Sequence, residues 1–520
     1  RFPPEPSGYL HIGHAKAVLL NDYFAKKWKG KCLLRFDDTN PEKEKQEFVD
    51  SILHDLKTLQ VCHEPPTTTS DHFETILKYA DQMIREGKAY IDDSPQEVMR
   101  EERMAGVESK SRSLGVEEIK RRWNEMKKGS AYGKTCVMRA KIDMQHGNKC
   151  MRDPAMYRCK DQPHHKTGTR YKVYPTYDFA CPIVDSIEGV THTLRTVEYK
   201  DRDQQYYWFI EALGIRKPQI WSYSRLNMRY TVLSKRKLKW FAETGRVDGW
   251  NDPRFPTVQG VLRRGMTVEA LRDFILLMGA SVNENLMSWD KVWSMNKKVI
   301  DPKAHRFLAV SAGSHLVLRL RNFHEPKPKG AAGESKISVQ LHPKFRAIGM
   351  KEVPIAKEVL VEAEDLSRIA NGEEITLMRW GNAVIESKSV ENGVPVCDGY
   401  LKLDGNPKNT KNRITWIAND LKAAVPITAV EFDVLITKPK LDEGDKFEDY
   451  LTPKTKFETK LLGEAALRFV KEGQIIQLER RGYYRCDKTA SDPSGMVLFN
   501  IPSGKAKSMS SLSTKVKVKN

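Results

Sequence analysis

Phe2-Pro-Pro-Glu-Pro-Ser-Gly-Tyr-Leu-His-Ile-Gly-His14 reads as an extended segment, a tight turn and the opening of a helix. Pro3, Pro4 and Pro6 hold the backbone extended, and Gly8 permits the turn. The residues that follow, His11 to Trp28, carry helical spacing at Ala15, Leu19, Tyr23 and Ala25. Two histidines three apart at a helix start join two imidazoles to unpaired backbone N–H groups at the positive end of the helix dipole, where a phosphate is stabilised. Gly13 lets the base and ribose of a nucleotide come close to the backbone. His11 and His14 are suited to hydrogen-bond a polyphosphate as charge shifts during displacement at its α-phosphorus.

Working outward, Lys31-Cys-Leu-Leu-Arg-Phe36 reads as a short apolar strand. Pro41 with its acidic followers opens a helix whose Phe48, Ile52, Leu56 and Leu59 form one apolar stripe. Strand, helix, strand and helix in this order predict half of a parallel sheet. Between about Thr67 and Thr169 the rhythm changes to charged helical stretches, Pro95 to Met104 and Val116 to Lys128, followed by short strands around Cys136 to Lys141, as in an inserted domain. Strand-like apolar runs resume at Tyr174 to Ile187, Val190 to Thr196 and Gln219 to Leu226, so the sheet is expected to be completed after the insertion.

Helical periodicity then dominates from Thr231 to about His305, with Leu262, Met266, Leu271, Phe274, Ile275 and Met278 as expected core. After Asp301-Pro302 come short alternating segments: Leu316 to Arg321, Ile337 to Leu341, Ile375 to Trp380, Tyr400 to Leu403, Ile414 to Ala418, Glu431 to Ile436, Ile475 to Leu478 and Met496 to Ile501. Separated by Gly, Pro and Asn turns, they predict β-barrels. The tail from Lys505 to Asn520 reads as loosely ordered or as an edge strand.

A chain of 520 residues is long enough for three or four domains. Its 87 Lys and Arg against 68 Asp and Glu leave a formal charge of +19, which favours a polyanionic partner, nucleic acid first. No apolar run approaches the roughly 18 residues that cross a bilayer, so no membrane association is expected. The chain opens at Arg1 without a signal-peptide pattern and reads as the trimmed start of a longer protein. Eight scattered cysteines without a C-x-x-C pair fit a reducing cytoplasm. Cys150, Cys159, His164 and His165 are four potential zinc ligands, but their spacing matches no usual finger, and no structural metal is expected.

The opening string resembles the HIGH signature of class I aminoacyl-tRNA synthetases and, over its full length, the glutamyl/glutaminyl subgroup. Val232-Leu-Ser-Lys-Arg236 matches that subgroup's form of the KMSKS loop. Further matches run in order along the chain: Arg35-Phe-Asp-Asp-Thr-Asn-Pro41, Met151-Arg-Asp-Pro154 with Tyr157-Arg158, Tyr174-Pro-Thr-Tyr-Asp-Phe179, Ser224-Arg-Leu-Asn227 and Asp252-Pro-Arg-Phe-Pro-Thr257. The resemblance implies an α/β Rossmann-type class I synthetase catalytic domain with an inserted acceptor-binding domain, a helical subdomain and two C-terminal β-barrels. In residue ranges this is a first catalytic half at 1–70, the insertion at 71–170, a second catalytic half at 171–225, the KMSKS-loop and helical subdomain at 226–305, and the anticodon-binding barrels at 306–520. The barrels point to the eukaryotic cytosolic type, since bacterial glutamyl enzymes are helical there.

Roles carried over by the resemblance are as follows. His11, His14 and Lys235 stabilise the triphosphate and the departing pyrophosphate. Pro4, Gly13, Thr196, Arg225, Leu226, Ser234 and Arg236 surround ATP, which arrives with Mg2+ held on its phosphates. Arg1, Glu5, Asp37, Tyr177 and Arg195 form the glutamate site, with Asp37 receiving the α-ammonium and Tyr177 touching the side chain. Arg195 is the discriminating residue, because relatives that use glutamine carry a neutral residue there. A carboxylate needs a cation where water is excluded, and a guanidinium offers a bidentate partner that an amide would leave unpaired. Pairing of Arg195 with Glu198, Asp201 or a tRNA phosphate is the competing reading. The expected partners are tRNA-Glu, L-glutamate and ATP, with a multi-synthetase complex or fused domains outside this chain. Arg379, Trp380, Arg413 and Trp416 are barrel residues suited to stacking or pairing with anticodon bases, although a tryptophan in a barrel is more often core, and none of the four is singled out. The rivals are a glutaminyl enzyme, a truncated tRNA-modifying enzyme without barrels, and a non-catalytic tRNA-binding paralogue.

Overall fold

The proline-rich segment lies as a strand beside the one that follows helix α1 (Ile12–Lys27). Phe2 bridges Leu34 in parallel, and Asp37 N–H donates to Pro4 O at 3.0 Å. In this computed structural model, which describes residues 1–323, 336–391 and 394–504, the chain divides into two compact units. The first comprises Arg1–Asn227 with Ile275–Met287, the second Met228–Phe274 with Ser288–Asn520. The expectation for the tail from Lys505 to Asn520 lies outside the described residues.

In the first unit, β1 (Arg35–Phe36) pairs in parallel with β2 (Thr67–Thr68), and helix α2 (Gln46–Thr58) connects them. Helix α3 (Phe73–Arg85) leads into an antiparallel sheet of β3 (Ala89–Asp92), β4 (Val137–Ala140), β5 (Ala155–Cys159) and β6 (Val173–Pro175), paired in chain order. Charged helices α4 (Gln96–Ala105) and α5 (Val116–Lys128) interrupt it, and α5 buries Ile119, Trp123 and Met126 on one stripe. The stripe joins α3 and the sheet in one apolar cluster.

Tyr174 to Ile187 is not a strand. Only Val173–Pro175 pairs, and α6 (Tyr177–Ile187) begins directly after the N-cap Thr176. Seven consecutive residues, Phe179 to Asp185, are buried, so no helical periodicity marks this element, and Pro182 inside it argues against a helix in sequence. β7 (His192–Thr196) pairs in parallel with β8 (Gln219–Tyr223), with α7 (Asp203–Leu213) between them.

The second unit opens with α8 (Lys235–Glu243) and α9 (Val258–Arg263); α10 (Val268–Met278) and α11 (Trp289–Ile300) follow in the chain. Of the helical core expected here, Met266, Leu271, Phe274 and Ile275 are buried, whereas Leu262 and Met278 are only half-buried. Two nearly closed barrel-like sheets follow, each of seven strands among the described residues. In one, the edge strands are His305–Phe307 and Ala309–Ser311, with only Leu308 between them; in the other they are Arg413–Ile414 and Trp416–Ala418, separated by Thr415 alone. The first and last strands of each sheet are thus chain neighbours, which brings the two edges together. Trp416 is a fully buried core residue whose indole donates to Met378 O at 2.9 Å, and Arg379 pairs with Glu479 at 2.6 Å.

Candidate active site

Helix α1 is capped by its own two histidines. Gly13 N–H donates to His11 Nδ1 at 3.1 Å, and His11 N–H donates to His14 Nδ1 at 3.2 Å, a capping box built from imidazoles. The rings stack with centroids 3.9 Å apart. Because both Nδ1 atoms accept from the backbone, each ring in its neutral form carries its proton on Nε2. Gly13 has a further reason to be glycine: a Cβ there would lie 2.8 Å from His11 Cε1.

Asp37 and Asp38 part company. Asp38 is fully buried and spent, accepting from Ser70 N–H at 2.8 Å and Ser70 Oγ at 2.5 Å. No hydrogen bond or ion pair of the described residues holds the Asp37 carboxylate. Burial pushes it up to about 7, with Arg35 opposing and Glu44, Asp38 and Glu5 adding to the rise.

Arg195, on β7, is buried with its guanidinium between the rings of Tyr199 and Tyr206, at 5.1 and 5.4 Å. Its ionic partner is Asp203 at 3.3 Å, not Glu198, which is taken by Arg225 at 3.0 Å. Arg195 Nε has no hydrogen-bond partner. With Tyr177, Asp178, Cys181, Pro182, Arg202, Gln205 and Tyr206 it lines a narrow cleft between α6 and α7. Tyr177 is the first residue of α6, not a strand residue, and its ring meets Tyr199 edge-on at 6.0 Å.

Arg1 is already committed: its Nε and Nη2 donate to Asp185 at 3.0 and 3.1 Å. Asp185 also accepts from Arg35 at 2.6 Å and Tyr206 at 2.9 Å, and despite its burial the Arg1 and Arg35 guanidinium groups hold it well below the usual carboxylate range. Lys16 of α1 is buried without a carboxylate, donating to Ser224 O at 2.6 Å, and burial lowers it to about 8. Neither Asp185 nor Lys16 was legible as a site residue, since the partners are 184 and 208 positions away. Pro4 is buried in the parallel ladder, and Glu5 accepts from Ser7 Oγ at 2.7 Å. Thr196 ends β7, Arg225 is ion-paired with Glu198, and Leu226 is buried. In the second unit Ser234 is the N-cap of α8, with Lys235 and Arg236 its first two residues.

Residues 1–302 match the family described as tRNA synthetases class I (E and Q), catalytic domain, and residues 304–404 and 413–487 match its two anti-codon binding domains. The chain belongs to the class I tRNA synthetases of the E and Q kind. It is 50% identical to the bifunctional glutamate/proline–tRNA ligase of Mus musculus over 529 residues, all of this chain but 34% of that protein. It is 50% identical to the cytoplasmic glutamate–tRNA ligase of Arabidopsis thaliana and 51% identical to that of Saccharomyces cerevisiae, in each case over 97% of this chain and 70% of the relative. The chain thus spans about a third of the bifunctional relatives it matches.

Two of the motifs this synthetase shares with its subgroup are scaffold. In Met151-Arg-Asp-Pro154, Arg152 donates to the carbonyls of Arg103 and Met104 at the end of α4, and buried Asp153 accepts from Tyr90, Arg112 and Ile142 N–H. In Asp252-Pro-Arg-Phe-Pro-Thr257, Asp252 holds the Arg254 side chain at 2.6 Å and accepts from Asp248 N–H. Cys150, Cys159, His164 and His165 do not come together: among the described residues the group with ligand atoms within 4.8 Å of one another is Asp38, His164 and His165, without either cysteine. His164 is spent, with Nε2 2.8 Å from Asp38 O and Nδ1 accepting from Lys166 and Thr167 N–H. Cys159 donates to Gly133 O at 3.2 Å.

Proposed function

We propose that this chain is the catalytic and anticodon-binding body of a cytoplasmic glutamate–tRNA ligase, activating L-glutamate with ATP and transferring it to the terminal adenosine of tRNA-Glu. The observation that carries the choice of amino acid is Arg195, a buried guanidinium with a spare N–H in the cleft that Tyr177 also lines. Asp37 receives the α-ammonium, and Arg195 pairs with the γ-carboxylate. The α-carboxylate then attacks the α-phosphorus of ATP, which enters as its magnesium complex, and pyrophosphate leaves. His11 and His14 donate from Nε2 to the phosphate oxygens as charge builds, and Lys235 neutralises the triphosphate. A ribose hydroxyl of the tRNA next attacks the adenylate carbonyl, and AMP leaves. Within this reading 71–170 holds the acceptor end, 226–305 is the helical subdomain that carries Lys235, and the two barrels bind the anticodon. The +19 charge suits a tRNA partner.

The test is tRNA-dependent charging with labelled glutamate or glutamine, comparing wild type with Arg195→Cys. Wild type is expected to charge glutamate, and the variant to lose about 10- to 100-fold or more in kcat/KM, the worth of a charge-assisted hydrogen-bond pair. Preference of the wild type for glutamine, or indifference of the variant, would overturn the reading in favour of a glutaminyl enzyme. Absence of any amino-acid-dependent ATP–pyrophosphate exchange would instead favour a non-catalytic tRNA-binding paralogue.

A further inference from the structure

The first turn of α7 carries Asp203, Gln205 and Tyr206. Gln205 is 2% exposed and lines the same cleft as Arg195, yet its Nε2 has no hydrogen-bond partner. A buried amide left unsatisfied is costly, and Gln205 is placed where a bound group would relieve that cost. The other polar side chains around the cleft are occupied. Arg202 holds Asp178 with two bonds, at 3.1 and 2.9 Å, and the Tyr206 hydroxyl donates to Asp185 at 2.9 Å. Asp203 reaches Arg195 only at 3.3 Å and leaves its Nε unused. Arg195 and Gln205 thus line one narrow cleft, and each has an N–H, Nε and Nε2, without a hydrogen-bond partner among the described residues; Gln205 also stands at a helix N-terminus, where negative charge is favoured. The Tyr199 and Tyr206 rings lie 5.1 and 5.4 Å from the guanidinium carbon, in cation–π range.

We propose that Gln205 is a second specificity-determining residue, donating from its amide to one oxygen of the substrate's side-chain carboxylate while Arg195 holds the other. This rests on Arg195 marking the side-chain end of the amino-acid site. A terminal amide turns over readily, so Gln205 presents its NH2 to a carboxylate, which only accepts. Gln205 strengthens carboxylate binding, and Arg195 supplies the exclusion of an amide.

The test measures kcat and KM for glutamate and glutamine, with the KM for ATP and thermal unfolding as controls, in wild type, Gln205→Leu and Gln205→Glu. In Gln205→Leu the KM for glutamate is expected to rise about 10- to 100-fold, the equivalent of one hydrogen bond to a charged group, with the KM for ATP and the unfolding midpoint unmoved. In Gln205→Glu a carboxylate faces the substrate's own. Glutamate kcat/KM is expected to fall roughly 100-fold or more while glutamine changes far less, so the selectivity ratio narrows. A folded variant of either kind that keeps the wild-type KM for glutamate and the wild-type ratio would overturn the proposal. Gln205→Glu preserves the shape of the side chain, so unfolding confined to Gln205→Leu leaves the decision with it. A wild type that prefers glutamine removes the underlying reading before any variant is compared, which separates the two failures.

Discussion

Asp37 shows how one side chain couples binding to pH. Its carboxyl, raised to about 7 chiefly by burial, holds a proton in the folded chain at pH values where the unfolded chain has lost it. Stability contributed by this group therefore falls as pH rises from the ordinary aspartate range through 7. Replacement by Asn is expected to remove that cost and raise the unfolding midpoint at pH 8, measured by calorimetry, while abolishing amino-acid activation. The same proton opposes the substrate ammonium, so kcat/KM for glutamate in pyrophosphate exchange is expected to decline as pH falls below about 7, with ATP saturation unaffected. A flat profile would mean that Asp37 does not receive the ammonium.

Helix α1 separates two duties that the same histidines perform. As caps they satisfy backbone N–H groups; on the proposed reading their Nε2 atoms also donate to phosphate. Asn is a good N-cap, and Gln at the third helical position completes a capping box, so His11→Asn with His14→Gln keeps the helix start while deleting the imidazoles. The double variant is expected to unfold near the wild-type midpoint but to lose about 100-fold in pyrophosphate exchange, whereas His11→Ala also loses about 1 kcal/mol of stability. This helix start was legible because Pro, Gly and the H-x-x-H spacing act locally. Strands Ile475–Leu478 and Met496–Ile501 were equally plain, being short, apolar and bounded by turns. Gly381–Glu391 and Lys456–Gly463 went unread because exposed polar residues fill their outer faces. α6 misled for the opposite reason, having no polar face to reveal its period. The Asp185 cluster and the pairing of Arg195 with Asp203 are tertiary facts that no local pattern encodes. Gln205 offered no signal either, since its meaning lies in a missing hydrogen bond.

For the whole molecule, the excess of 19 positive charges predicts that the proposed affinity for tRNA depends on ionic strength. Between 50 and 200 mM salt the KM for tRNA is expected to rise by roughly 10- to 1,000-fold for a handful of phosphate contacts, while the KM for glutamate, set inside a closed cleft, stays within about a factor of two. Equal salt sensitivity of the two constants would argue against a phosphate-dominated interface. The reaction cycle meets a different constraint in the paired imidazoles. Each ring's Nδ1 accepts from a backbone amide in the first turn of the helix. On the proposed reading the pair is arranged to donate to phosphate and not to act as a base. On that reading the hydroxyl hydrogen released in the transfer step is expected to leave by another route, one that ends on the adenylate itself or on solvent.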